Sequence, residues 1–152
     1  MRAITNEARV GYATFFRHYA DKEELLDDLA AREIAELLGK SMPVFAADDT
    51  RRACVALFEY IARRRSLWRA LLTGGAAPIL RARFVEHGRQ VASEFGTVAS
   101  PDASPIDLRV THATAATIEI IAWWLGQAEA LPIEQIAGIL DRLVITPTLA
   151  EA

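Results

Sequence analysis

Apolar residues recur every three or four positions along most of the chain, which is the spacing of a helix with one buried face. The clearest example follows Asp21, where Leu26, Leu29, Ile34 and Leu37 share one face and charged residues occupy much of the rest. No stretch alternates apolar and polar residues in the way that half-buried strands do. The pattern therefore predicts an all-α protein with about seven or eight helices.

Capping residues and helix breakers predict where these helices begin and end. Asp21, with Glu24 three residues later, forms a capping box that starts the most regular helix,. Gly39 is expected to end that helix, and Pro43 to prevent it from resuming. The same signals predict the tail of an earlier helix over residues 2–8 and further helices over residues 12–19, 50–65, 67–73, 78–95, 108–129 and 132–146.

Three more signals set helix ends in the second half of the chain. Asp48, Asp49 or Thr50 is expected to cap the third long helix. Asp107 is expected to cap the helix 108–129, and Pro147 to close the last helix. The segment 97–105 is rich in Pro and Ser. We expect it to form an exposed, mobile loop.

The last two predicted helices are apolar over more than one face, so each must be buried on several sides. A chain of 152 residues has few elements to cover them, and self-association solves the problem. Two copies that pair this helical hairpin would form a four-helix bundle about a two-fold axis. The expected dimer contacts are Ile118, Ile121, Trp123, Leu125, Ile136, Ile139, Leu140 and Leu143.

Charge is distributed unevenly along the chain. The formal net charge of −3 argues against a protein that coats nucleic acid over its whole surface,. Residues 1–22 nevertheless carry a net charge of +2, which leaves −5 for the remainder. The net charge therefore does not exclude a local basic patch, and this modest asymmetry points to the N-terminal end, whose basic residues are Arg2, Arg9, Arg17 and Lys22.

Composition and motifs exclude several classes of protein. The single cysteine, Cys54, allows neither an internal disulfide nor a cysteine-based zinc site, and it is expected to be a buried, inert thiol,. No apolar leader is found in residues 1–9, and the most apolar stretch, 113–125, is too short to span a membrane and contains Glu119. Catalytic and metal-binding motifs are also lacking. We expect a soluble cytoplasmic protein that is not an enzyme and needs no metal or cofactor.

The segment 9–25, RVGYATFFRHYADKEEL, has the most unusual composition in the chain. It places a short aromatic and basic helix between a turn at Gly11 and the capped helix after Asp21, as in a helix-turn-helix recognition element. In order, spacing and residue type it resembles the TetR family of bacterial transcription regulators, whose usual wording here is Gly-Val-Ser-x-x-Thr-Leu-Tyr-x-His-Phe-x-x-Lys-x-x-Leu. Only this segment is diagnostic of the family.

The resemblance implies a TetR-like fold in two parts. Residues 1–40 would form a partial helix-turn-helix with its connector helix, and residues 41–152 a ligand-binding and dimerisation domain. The implied function is that of a ligand-responsive repressor acting as a homodimer. Its partners would be a double-stranded DNA operator and a small-molecule effector.

The resemblance also assigns DNA contacts to individual residues. Tyr12 and Arg17 face base edges, Ala13 allows close approach, Thr14, His18 and Lys22 contact phosphates, and Phe16 packs against a sugar,. The alternative for any aromatic residue here is a place in a core stripe at helical spacing. Phe15 and Tyr19 match core positions of the family.

The chain departs from the family pattern at its N-terminal end. A complete first helix and most of a second usually precede the recognition helix, whereas only residues 2–8 do so here. We therefore expect an N-terminally truncated member, with Val10, Phe15 and Tyr19 deprived of their packing partner, a frayed recognition helix and weak DNA binding. Arg9 also stands where the family has glycine, at a cost of about 1 kcal/mol if its backbone is left-handed.

In this family the middle helices enclose a small-molecule pocket. The candidates for its lining are Phe58, Ile61, Trp68, Leu72, Phe84, His87, His112, Thr117 and Trp124. Most of them are equally suited to a protein core, and only the two histidines are clearly polar. The alternative function is therefore a dimeric, helical small-molecule-binding module that does not bind DNA.

Overall fold

A computed structural model describes residues 2–45, 49–94 and 104–150 of the chain. Throughout these residues the protein is helical and contains no strand, which confirms the predicted all-α class. None of the described helices is long and apolar enough to cross a membrane. The helices are α1 (Arg2–Glu7), α2 (Tyr12–His18), α3 (Lys22–Phe45), α4 (Thr50–Arg63), α5 (Arg65–Thr73), α6 (Ala77–Glu94), α7 (Ile106–Gly126), α8 (Ile133–Leu140) and α9 (Thr146–Ala150).

Two predicted N-caps are confirmed. Asp49 Oδ1 accepts a hydrogen bond from Arg52 N at 2.9 Å, and Asp21 Oδ1 accepts one from Glu24 N at 2.8 Å. The Glu24 side chain in turn accepts from the backbone N–H of Ala20, one residue before the usual capping-box position,. Each cap pairs a backbone donor that the start of a helix otherwise leaves without a partner.

The predicted end of the helix after Asp21 is wrong, because α3 continues through Gly39 and Pro43 to Phe45. A glycine inside a helix costs only about 1 kcal/mol relative to alanine. Pro43 lies in the last turn and removes a single backbone donor there. The division expected at residue 40 therefore falls inside one continuous helix.

The start and end of α7 also differ from the prediction. The helix begins at Ile106 with Pro105 at its N-cap and no side-chain cap, so Asp107 lies within the first turn. There its carboxylate is still stabilised by the positive end of the helix dipole. The helix ends at Gly126 rather than at residue 129. Asp48 and residues 97–103 of the predicted loop lie outside the described residues.

Pro147 does not end the last helix as predicted. α8 passes into a π-helical turn, Asp141–Ile145, and α9 continues from Thr146. Thr146 N bonds to Asp141 O, so the wider turn shifts the hydrogen-bond register just before the proline,. Pro147 consequently lies in the first turn of α9, where a missing N–H costs least.

The core forms where α4 packs between α3 and α8, and α6 between α3 and α7. Phe58 of α4 and Trp68 of α5 are fully buried in it. The Phe58 ring meets Trp124 of α7 edge-on, with 5.2 Å between centroids. Cys54 is buried in the same core, as predicted, and burial raises the pKa of its thiol to about 12,. A thiol with this pKa stays protonated and unreactive at neutral pH.

A charged cluster connects α3 to the end of α4. The Glu33 side chain is only 4% exposed and pairs with the guanidinium of Arg64. The Tyr60 hydroxyl lies 3.1 Å from Glu33 Oε2 and 3.0 Å from Glu36 Oε2, and it accepts from Arg64 Nη1 at 3.0 Å. Burial raises the pKa of Tyr60 to about 12, so this hydroxyl keeps its proton. The cluster compensates the buried Glu33 charge and fixes α3 against α4.

Replacing Arg64 with alanine leaves the Glu33 carboxylate buried without its cation. Breaking a fully buried ion pair costs about 3–5 kcal/mol. Arg64 is 42% exposed, so water compensates in part, and we expect the free energy of unfolding to fall by about 2 kcal/mol. Urea denaturation followed by circular dichroism measures this loss.

The matched control is Arg63→Ala, which breaks only an exposed pair with Glu59 at 3.6 Å. That change should cost less than about 0.5 kcal/mol. Equal losses in the two variants would contradict the role assigned to the buried cluster.

Candidate nucleic-acid interface

The turn between α1 and α2 contains a residue with a left-handed backbone. Arg9 has a φ of 54°, the only positive φ among the described residues other than glycine. Its N–H bonds to Asn6 O at 3.1 Å, and the N–H of Val10 bonds to Thr5 O at 3.0 Å. This pair of bonds is a Schellman motif, in which glycine is usual at the left-handed position. Arg9 therefore carries the strain of about 1 kcal/mol that a side chain costs there.

One exposed face of α2 presents four of the predicted DNA-contact residues. Tyr12 is 51% and Phe16 42% exposed, and Ala13 and Arg17 beside them are exposed as well. The rings of Tyr12 and Phe16 are in contact, with centroids 4.8 Å apart. Phe15 is buried, with 6% of its surface exposed. The four exposed residues thus form a continuous surface on a helix that Phe15 anchors from behind.

The predicted phosphate-contact residues lie around this face. Thr14 is half-buried, whereas His18 and Lys22 are exposed where α2 ends and α3 begins. Four basic side chains of the region are exposed and form no salt bridge within the described part of the chain; they are Arg2, Arg9, Arg17 and Lys22. Their charge is therefore free to bind an anion from solution.

Tyr19 joins α2 to α3. Its hydroxyl donates to Asp28 Oδ2 at 2.6 Å, and Arg32 pairs with the same carboxylate at 2.7 Å. The hydrogen bond raises the pKa of Tyr19 and lowers the pKa of Asp28. The preceding residue, Asp27, accepts two hydrogen bonds from Arg83 of α6, at 2.8 and 2.7 Å. α3 is thus connected to α2 through one carboxylate and to α6 through its neighbour.

These contacts correct the expectation that Val10, Phe15 and Tyr19 lose their packing partner. Only Val10, which is 42% exposed, remains largely uncovered. Phe15 is buried where α1 packs on α2, and Thr5 of α1 is itself buried. Tyr19 is held by its bond to Asp28. The inner side of α2 is therefore covered in the described structure, and α1 packs on this helix.

The predicted ligand-contact residues lie mainly in the core. Those that are buried are Phe58, Ile61, Trp68, Leu72, Phe84, Thr117 and Trp124. His87 on α6 is half-buried, and His112 on α7 is exposed. The indole Nε1 of Trp68 is buried without a hydrogen-bond partner in the described part of the chain. Their use as a ligand site stays a prediction.

A separate groove of about 510 Å³ runs along α6 and includes none of the predicted ligand residues. It is lined by Arg81, Ala82, Val85, Glu86 and Arg89. Among the described residues, no group of three His, Cys, Asp or Glu side chains could hold a metal ion.

The predicted dimer residues divide into two groups. Five are buried within one chain and cannot reach a second copy; they are Ile118, Ile121, Leu125, Ile136 and Leu140. Trp123 is 52% and Leu143 66% exposed, and Ile139 is half-buried. Sequence reasoning missed three more exposed apolar side chains, which are Leu108 at 58%, Leu149 at 50% and Ile106 at 39%. The surface available for self-association is therefore smaller than predicted and lies along α7 and the α8–α9 segment.

Sequence reasoning also missed the residues that position α2. Asp28 lies nine residues after Tyr19, and Asp27 lies 56 residues before Arg83. Neither separation matches a helical contact, and all these charged side chains follow the pattern of a solvated helix face. The one usable signal was the Tyr19 hydroxyl, because a half-buried tyrosine usually finds a polar partner.

No protein-family model, curated protein or solved structure matches the chain. The interface is therefore characterised by its own geometry: a short helix with an exposed aromatic and basic face, a strained turn before it and a hydrogen-bonded connection to α3 behind it.

Replacing Arg9 with glycine should remove the strain of the left-handed turn and protect α1 and α2 from local opening. A gain of about 1 kcal/mol corresponds to about five-fold slower amide exchange. Native-state hydrogen exchange of the Val10 and Tyr19 amides measures it, since both N–H groups are hydrogen-bonded, to Thr5 O and Phe15 O.

Arg9→Ala is the matched control, because it removes the same charge but keeps a Cβ atom at the left-handed position. Equal exchange rates in the glycine and alanine variants would show that the turn is not strained.

Proposed function

We propose that the chain is a DNA-binding transcription regulator of the TetR type, a ligand-responsive repressor that acts as a homodimer. The observation that supports this most directly is the exposed face of α2, formed by Tyr12, Ala13, Phe16 and Arg17. Large aromatic side chains that are exposed to solvent beside cations without a salt bridge are typical of a surface that binds a partner. The free positive charge favours a polyanion as that partner.

The dimensions of α2 suit the major groove of B-DNA. A helix with its side chains is about 10–12 Å in diameter, and the groove is about 12 Å wide. Arg17 is the strongest hydrogen-bond donor on the exposed face, and a guanidinium can donate two bonds to guanine O6 and N7. Arg17 is therefore the residue proposed to read a base by direct hydrogen bonds.

Phosphate contacts are proposed for the residues at the two ends of the recognition helix. Arg9 precedes α2, and His18 and Lys22 follow its exposed face. Such contacts fix the register of a protein on the duplex and make its affinity depend on salt. Residues 1–22 carry a net charge of +2 in a chain whose net charge is −3, so this end of the molecule favours the approach of a polyanion.

The ligand response is proposed to pass through α3. This helix contacts α4 through Glu33 and Arg64, and it contacts α6 through Asp27 and Arg83. α4 and α6 supply several of the predicted ligand residues, and Tyr19 ties the recognition helix to the same α3. A ligand that displaced α4 or α6 would therefore act on α2 through hydrogen-bonded contacts.

Binding of duplex DNA is tested by fluorescence anisotropy with the full chain and duplexes selected from a random pool. Between about 50 and about 200 mM salt the affinity should fall linearly on logarithmic axes. Arg17→Ala should lower the affinity for a selected duplex by about ten-fold or more, since a bidentate base contact is lost.

The matched control is Arg69→Ala, which removes an exposed arginine of α5 and should leave the affinity unchanged. Equal losses in both variants, or no salt-dependent binding, would argue against α2 as the DNA-reading element.

The homodimer is proposed from the apolar side chains that the described chain leaves in solvent. Trp123 and Leu108 lie on the exposed side of α7, and Leu143 and Leu149 on that of the segment that follows α8. Burial of a tryptophan or leucine side chain contributes about 1.5–3 kcal/mol. A second copy related by a two-fold axis would cover the same residues on both chains.

Trp123→Lys and Leu143→Lys should each shift the protein from dimer to monomer in sedimentation velocity. A lysine there would bury an uncompensated charge on each side of the interface and remove apolar area. The control is Ala70→Lys, at an exposed position of α5, which should stay dimeric. A wild-type monomer would refute the homodimer, and a dimer that binds no duplex would favour the alternative small-molecule-binding module.

A further inference from the structure

The exposed face of α2 is mostly apolar, although base edges are mainly polar. Of its four side chains only Arg17 carries several strong donors, whereas Ala13 and Phe16 have none and Tyr12 has one hydroxyl,. The face contains neither of the amides that pair with adenine. The one apolar group that a base edge offers in the major groove is the C5 methyl of thymine.

The two rings form a single apolar surface of suitable length. Tyr12 and Phe16 are four residues apart, which is about 6 Å along the helix axis, and their centroids are 4.8 Å apart. Successive base pairs are separated by about 3.4 Å. The ring pair can therefore extend over two neighbouring base pairs.

We propose that the Tyr12–Phe16 ring pair contacts thymine methyl groups on neighbouring base pairs, and that Arg17 takes a guanine beside them. This inference rests on the proposed DNA-binding function and adds the chemical class of base that the site selects. The assignment differs from the sugar contact that the resemblance implies for Phe16.

The charges around the ring pair favour DNA over another occupant. Arg9, Arg17 and Lys22 are exposed and form no salt bridge with any described residue. An apolar surface of a partner protein would leave these cations uncompensated, whereas a duplex supplies phosphates on both sides of the groove. In such a complex the rings of Tyr12 and Phe16 would be shielded from water by the thymine methyl groups that the major groove exposes.

The test replaces each thymine of a selected duplex with deoxyuridine, which removes the C5 methyl group and keeps the base pair. Burial of one methyl-sized group is worth about a four-fold change in affinity. The wild-type chain should therefore bind the uracil duplex about 4- to 16-fold more weakly for one or two contacted methyls. The salt dependence should not change, because the phosphates are the same.

A double variant connects the effect to the rings. Tyr12→Ala combined with Phe16→Ala should bind the thymine and uracil duplexes with equal affinity. Arg17→Ala is the matched control and should weaken binding to both duplexes while it preserves their ratio. Since both rings are about half exposed, the helical circular dichroism of the double variant should match that of the wild type.

Three results would overturn the inference. If the wild-type chain binds both duplexes equally and with a normal salt dependence, thymine reading is wrong and the proposed DNA binding stands. If the preference for thymine persists in the double variant, it comes from DNA shape rather than from the rings. If no duplex binds with a salt-dependent affinity, the inference fails together with the proposed function.

Discussion

The position of α2 depends on how one buried carboxylate is compensated. Glu33 lies near the middle of α3, and its charge is tolerable inside the protein only because Arg64 and Tyr60 are within hydrogen-bonding distance,. That requirement fixes α3 on α4. Since α2 is fastened to the first turns of α3, through Tyr19 and Asp28, a constraint in the core sets the placement of a surface helix.

Features that depend on neighbouring residues could be predicted from the sequence, and features that depend on distant ones could not. The caps at Asp21 and Asp49 are local hydrogen bonds, and both are present. The sequence did not predict that α3 continues through Pro43 or that the last helical segment continues beyond Pro147. A single glycine or proline costs a helix about 1–3 kcal/mol, which packing along its length, or a change of hydrogen-bond register, can offset.

The candidate site shows the same division. The family resemblance suggested which residues of α2 face outward, and the exposure of Tyr12 and Phe16 agrees with that assignment. Apolarity could not separate core from surface in α7, where Ile118 is buried and Trp123 is exposed. The difference arises from which sides α5 and α6 cover. A sequence pattern does not specify that coverage when a helix is apolar on more than one face.

Asp27 and Asp28 have a geometric consequence for a two-fold assembly. Successive residues of a helix point about 100° apart around its axis. The two carboxylates therefore leave α3 in different directions, one toward Arg83 and one toward Tyr19. The Asp27 contact holds α3 on α6, and the Asp28 contact holds α2 on α3. α2 is thereby connected to α6 through α3. In a symmetric pair of chains, the distance between the two α2 helices would therefore depend on where α3 lies on α6.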